Sequence, residues 1–260
     1  VYFLKAWQKV EISRPPKSPI SITEIILEHS KNFCIQISKS YFFLSRNFKL
    51  QKIGSVEYLF DKFGFADILQ GLDELVVLNV EKNRKDFSLE LYNSFINKLL
   101  EKAFVPITLG GGLNSEADVN HRFSLGCDKV LFNTALFENI QLVENTILRY
   151  GSQAVVANLD VLKVNNEYCV FSNNGTKLVG TLDHACNIIK SLSFGELFLN
   201  SIDRDGTGFG PDINLIDKLS IFKPLILSGG YGKPDHFNVL NLKNVDAAAT
   251  GNIFNFIKGG

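Results

Sequence analysis

The stretch VPITLGGGLNSEADVNHRFSLGCDKVLFNTALF (105–137) decides the fold. It opens on a short β-branched run, turns through Gly110-Gly111-Gly112, and closes on a second run, KVLFNT (129–134). The same phrase returns later as PLILSGG (224–230) followed by DAAATG (246–251). Gly111 and Asn133 are 22 residues apart, Gly229 and Thr250 are 21 apart, and a half-unit used twice explains the match. Each phrase is preceded by a related run, DELVVLNV (73–80) in the first half and GELFLNSID (195–203) in the second. FCIQI (33–37) and AVVANLD (154–160) bring the strand-length runs to eight, each too short for a helix buried on all sides. SLELYNSFINKLLEKA (88–103) and TLDHACNIIKSL (181–192) lie between them with helical periodicity. Strand then helix, eight times, predicts an α/β fold: a single (β/α)8 TIM barrel with a twofold half-barrel repeat. An open doubly wound sheet is the alternative. RPPKSP (14–19) is a Pro-rich, basic break, and it sets residues 1–32 apart as an N-terminal extension before a barrel of residues 33–260.

Composition narrows the class of function. At 260 residues and 45% hydrophobic, the chain can bury one substantial core. Its 27 basic and 27 acidic side chains cancel. With no basic field to collect nucleic acid or an anionic membrane, a small-molecule ligand is expected. No apolar run reaches the roughly 20 residues that span a bilayer. The opening VYFLKAW lacks a cleavage pattern, so a cytoplasmic protein is expected. Cys34, Cys127, Cys169 and Cys186 have no CxxC or other metal-ligand spacing; free thiols, no metal site and no cofactor are the expectation.

The chemistry collects at the ends of the strand runs. Glycine lets backbone N–H groups approach an anion, so Gly111 and Gly112 with Asn133 and Thr134 read as one phosphate cradle. Gly229 and Gly230 with Gly251 and Asn252 read as a second. Two cradles would suit a substrate carrying a phosphate at each end; plain tight turns are the competing reading. Asp160 ends its run and is placed for acid–base chemistry in a barrel mouth, unless it merely caps the next element. DRDGTGFG (203–210) is too dense in carboxylates and glycines for a plain connection. It reads as a substrate loop with Asp205 and Gly206 nearest the ligand and Asn200 just before it; a salt-bridged surface turn is the alternative. His29, His121, His184 and His236 read as helix, cap or surface residues.

PITLGGG, DKVLFNTALFEN, GSQAVVANLD, GELFLNSIDRDGTGFG, SGGYGKPDHF and the terminal NIFNF together resemble the cyclase subunit of imidazole glycerol phosphate synthase. They do so in order and spacing from about Asn32 to Phe256, and FNTALFEN and GSQAVV resemble the cyclase more than the related isomerase. The resemblance implies a lyase barrel in a glutamine amidotransferase complex, a heterodimer with a glutaminase. Ammonia from the partner would enter at the N-terminal face and meet a phosphorylated ribotide at the C-terminal face. It implies two catalytic aspartates; Asp160 matches one, and Gln36 stands at the other. Gln does not take a proton at neutral pH, so histidine-pathway cyclisation is expected to be weak. Leu44 stands where the family has a substrate-contacting lysine, and Asn79 where it has an aspartate. At the other face Glu74, Lys129 and Glu196 match a charged ring that gates ammonia, Asp128 matches a partner-interface residue, and the family's arginine finds no match near Ser30. The pattern resembles cyclase-like paralogues that supply ammonia for acetamidino-sugar formation in surface-polysaccharide synthesis. A non-catalytic barrel that activates a glutaminase is the third reading.

Overall fold

The computed structural model describes residues 30–39, 41–63, 65, 69, 72–81, 87–220, 223–238 and 245–251. Twelve strands appear in it: β1 (Ser30–Ser38), β2 (Tyr41–Arg46), β3 (Lys49–Ser55), β4 (Glu74–Asn79), β5 (Ile107–Gly110), β6 (Lys129–Phe132), β7 (Val155–Val164), β8 (Glu167–Ser172), β9 (Lys177–Thr181), β10 (Glu196–Ser201), β11 (Leu225–Ser228) and β12 (Ala247–Thr250). Eight of them, in the order β1-β4-β5-β6-β7-β10-β11-β12, pair in parallel, and β12 returns to β1. That closed ring is the (β/α)8 barrel, and its eight strands are the eight runs read from the sequence. The main helices are α1 (Val56–Phe63), α2 (Leu89–Leu100), α3 (Glu116–Ser124), α4 (Ala135–Glu138), α5 (Ile140–Tyr150), α6 (Leu182–Ile189) and α7 (Ile213–Ile216). Ser88, Ser115 and Thr181 cap α2, α3 and α6 by accepting a backbone N–H through their hydroxyls, which is why each helix starts where it does.

Strand alternation sorts side chains into two layers. Phe33, Ile35 and Ile37 of β1 face outward with Leu75 and Val77 of β4, Val130 and Phe132 of β6, and Leu197 and Leu199 of β10. There they pack with helix residues such as Phe95, Ile96, Leu99 and Ile189. The opposite parity points into the barrel, and it changes character with height. Glu74, Lys129 and Glu196 stand at the N-terminal floor. Val76, Leu131, Val156, Phe198, Ile226, Ala247 and Ala249 form an apolar middle, and Asn158, Asp160 and Asn200 stand at the C-terminal mouth. Buried parallel strands usually read as unbroken apolar runs. Here the interruptions mark the two ends of the barrel.

Two findings amend the sequence reading. β1 begins at Ser30, with Ser30, Lys31 and Asn32 in register with Ala247, Ala248 and Ala249, so residues 30–32 belong to the barrel rather than to the extension. Their polar side chains gave no strand signal. Residues 1–29 lie outside the described residues, as do Asn252 and NIFNF. The second finding is that the first strand of each half is followed by an antiparallel hairpin, β2–β3 after β1 and β8–β9 after β7. The tight turns Asn47-Phe48, between β2 and β3, and Asn165-Asn166, between β7 and β8, have positive φ at both residues, the geometry that matches strand twist in a two-residue connection.

Candidate functional site

A cavity of about 340 Å³ opens at the C-terminal mouth, within the range of small-molecule sites. Its floor is made by strand ends: Gln36 of β1, Asn79 of β4, Gly111 and Gly112 after β5, Asn133 and Thr134 after β6, Asn158 and Asp160 of β7, and Asn200 of β10. Its roof comes from the hairpins, through Ser45, Phe48 and Leu50 on one side and Asn173 and Asn174 on the other.

Asp160 is the buried carboxylate of this lining. Only 7% of it is exposed, and three carboxamides donate to it. Asn200 Nδ2 reaches Oδ1 at 3.0 Å, Asn158 Nδ2 reaches Oδ1 at 3.2 Å, and Asn133 Nδ2 reaches Oδ2 at 3.3 Å. Burial pushes the carboxyl up to about 6, against the pull of the Asn200 and Asn158 hydrogen bonds and with some help from the Asp205 charge. Neutral donors stabilise the carboxylate less than a cation would, so Asp160 is poised near neutrality, where a group can both take and give a proton. Gln36 lines the same cavity, and its Oε1 is buried with no hydrogen-bond partner among the described residues. Cys34, below it, has its thiol pushed up to about 12 by burial and by Asp205 and Asp160, which leaves it unreactive.

One of the two expected cradles faces this cavity. Gly111 has φ +84°, and a Cβ there would lie 2.0 Å from the Asn79 carbonyl oxygen. The turn can pass so close to β4 only as glycine. Gly111→Ala is therefore expected to cost about 2–4 kcal/mol, from strain plus a backbone clash, read by chemical denaturation. Gly229 and Gly230, by contrast, do not line the cavity. They pack on the Ser201 and Gly210 carbonyls, where a Cβ would come within 2.8 and 2.2 Å. Gly251 sits against the Cys34 carbonyl and the Leu44 side chain.

Asp205 and Gly206 also lie outside the lining. Asp205 Oδ2 accepts the Ser45 hydroxyl and, at 3.0 Å, the Phe48 N–H, while its carbonyl accepts the Asn47 N–H at 2.9 Å. Asp205 therefore holds the β2–β3 hairpin down, and burial raises its carboxyl above the ordinary value. Phe48 is held at φ +58°, an uncommon state for an aromatic residue, and a Cβ on Gly175 would come within 2.9 Å of its ring. The two hairpins thus meet over the cavity. His236 accepts the Gly232 N–H at 3.1 Å, a turn-holding role.

At the N-terminal floor Lys129 Nζ lies 2.8 Å from Glu74 Oε2 and 2.7 and 2.9 Å from the two Glu196 oxygens, and Thr108 donates to Glu74 Oε1. Burial holds the Glu74 carboxyl above its ordinary value even so. Asp128 is exposed at the same end, and its Oδ2 accepts the Ile107 N–H at 2.7 Å.

Comparison with known proteins fits this geometry. A profile of the histidine biosynthesis protein family matches residues 57–258, the greater part of the chain. The chain belongs to that family. Within it this barrel is HisF-like. It is 37% identical over 237 residues to a Parasynechococcus marenigrum protein provisionally named imidazole glycerol phosphate synthase subunit hisF2, covering 88% of this chain and 86% of that one. It is 38% identical over 193 residues to imidazole glycerol phosphate synthase subunit HisF of Saccharolobus solfataricus, covering 71% and 74%. The HisF subunit of a Thermotoga strain is 36% identical over 191 residues, covering 72% and 74%. The HisF-like barrel has features that the sequence reading did not single out. Ser45, Phe48, Asn158, Asn173 and Asn174 all join the cavity.

Proposed function

We propose that this barrel is a cyclase-type lyase subunit that uses ammonia from a glutaminase partner on a phosphorylated substrate bound at the C-terminal face. The observation that carries the reading is Asp160, buried in a mouth cavity with its carboxyl near 6 and donors on both oxygens. Asp160 takes and returns the proton, Asn133, Asn158 and Asn200 orient it, and Gly111, Gly112, Asn133 and Thr134 hold a phosphate. Glu74, Lys129 and Glu196 receive ammonia at the opposite end, and Asp128 lies at the partner interface.

Histidine-pathway cyclisation is weak in this reading, because Gln36 positions substrate without exchanging a proton. An acceptor other than the bisphosphate ribotide, such as an acetamido sugar, is supported by Gln36 and Asn79, neutral amides that line the cavity at the two positions where the resemblance implies aspartates. The deciding experiment is ammonia-dependent turnover of the aminoimidazole carboxamide bisphosphate ribotide alongside equilibrium binding of the same compound. Little turnover with retained binding is expected; turnover typical of a cyclase overturns the altered-acceptor reading, and absence of both overturns the ribotide-type site.

Phe104, 96% exposed on the connection into β5, stands at the same end as the charged ring. Phe104→Ser is expected to weaken the glutaminase complex about tenfold or more without changing the melting temperature, as measured by titration of the partner. Unchanged affinity would remove Phe104 from the interface.

A further inference from the structure

Asn32 is a second polar residue inside the barrel that the proposed chemistry does not use. It is 2% exposed, and its Oδ1 has no hydrogen-bond partner among the described residues. A buried acceptor left unbonded costs about 1–3 kcal/mol, so its presence in a folded core asks for a donor. On β1, Asn32 stands in register with Glu74 on one side and Ala249 on the other. Ala249 belongs to the apolar interior, which fixes Asn32 on the interior parity. β12, its neighbour on that side, contributes only the Ala247 and Ala249 methyl groups to the interior.

The charge beside it does not balance. Among the described residues Glu74 and Glu196 share the single Lys129, and the other side-chain partner of Glu74 is a neutral hydroxyl, Thr108. If both carboxylates are ionised, the cluster carries one negative charge in excess. Lys129 and Glu196 keep 18% and 21% of their side-chain surface exposed, so small solutes reach the cluster from the N-terminal end. With both carboxylates ionised, the unbonded carbonyl oxygen beside them completes an acceptor set without its donor. A divalent ion would demand six or more oxygens and would be repelled by the Lys129 ammonium. A water molecule would satisfy Asn32 and leave the charge uncompensated.

We infer that the barrel floor binds one monovalent cation of ammonium size, between Asn32 Oδ1 and the Glu74–Lys129–Glu196 cluster. Ammonium, with four N–H donors, fits an acceptor set of this kind, and rubidium has nearly its radius. Naming ammonium as the natural occupant rests on the ammonia-handling reading above; the cation site itself rests on Asn32 and the charge count.

The test uses the whole chain and rubidium chloride as the probe. Crystals soaked in rubidium should give an anomalous peak about 3 Å from Asn32 Oδ1. In solution, the melting temperature in rubidium or ammonium chloride should exceed that in lithium chloride of equal ionic strength by about 3 °C, the shift from a tenfold excess of ligand over its dissociation constant. Asn32→Leu and Glu74→Gln should each remove the rubidium–lithium difference, whatever they do to the absolute melting temperature. A water peak alone at Asn32, equal melting in the two salts, or a difference that survives in Asn32→Leu overturns the site. Rubidium bound at Asn32 in a chain without ammonia-dependent turnover keeps the site and removes ammonium as its natural occupant. Ammonia-dependent turnover with an empty floor removes the site and keeps the ammonia reading.

Discussion

Asp160→Asn is expected to melt at a higher temperature than the natural chain and to lose acid–base chemistry. The folded-state carboxyl titrates near 6 against an ordinary 3.8, chiefly because burial disfavours its charge. The folded chain therefore binds that proton more tightly than the unfolded one, and ionisation costs stability above about pH 6. A proton held that much more tightly in the folded chain is equivalent to on the order of 2–3 kcal/mol. Part of this is forfeited because an amide NH2 faces at least one of the donors Asn133, Asn158 and Asn200 unless that donor turns over. A net gain of about 1–2 kcal/mol, a few degrees in melting temperature, is expected at pH 7.5. The gain should shrink as the pH falls through 6 and vanish below 3.8, where both states of the natural chain are protonated. A gain that is flat with pH would mean that Asp160 titrates normally. Any ammonia-dependent turnover should fall by roughly 10²–10⁴-fold in the same variant, the usual contribution of a general acid or base.

Gln36→Asp is expected to act in the opposite direction on both properties. β1 and β7 lie four strands apart in the eight-stranded ring, so the new carboxylate would face Asp160 across the mouth. A second proton-transfer group should raise turnover of the bisphosphate ribotide by roughly 10²–10⁴-fold over the natural chain. Stability should fall, since a buried carboxylate would replace a neutral amide where no donor waits among the described residues. Turnover assays with saturating ammonium salt at several pH values check this. No gain would mean that the missing carboxylate is not what limits cyclisation, and that the site has been rebuilt for another acceptor more deeply than at one residue.

Much of the fold was legible because the eight strand runs keep their outward apolar parity: Phe33, Ile35 and Ile37, or Val155, Ala157 and Leu159. The hairpins were not read, although one carried a usable signal. In VLKVNNEYCVF the chain turns from β7 into β8 at Asn165-Asn166, a pair suited to positive φ. The other turns at Asn47-Phe48, and the aromatic residue hides the signal; its conformation is held by the Asp205 carboxylate, 157 residues away in sequence. The same distance problem separates Asp160 from its surroundings. Its position at a strand end was visible, but its donors Asn133 and Asn200 lie 27 and 40 residues away and meet it only through barrel closure. Asp205 was recognised as chemically loaded, yet its partners Ser45 and Phe48 could not be known without the fold.

The apolar middle of the barrel has an electrical consequence. Between the ion cluster at one end and Asp160 at the other, the described interior side chains of Val76, Leu131, Val156, Phe198 and Ile226 offer no ion a substitute for its hydration shell. Stripping that shell costs several kcal/mol even after relaxation, whereas a small neutral molecule pays little. The barrel is thus a bilayer in miniature, a thin insulator with a wet, charged face on one side and a titrating carboxyl on the other. An ion crossing it would have to shed its hydration shell, whereas a small neutral molecule would not, so the layer favours neutral species over charged ones.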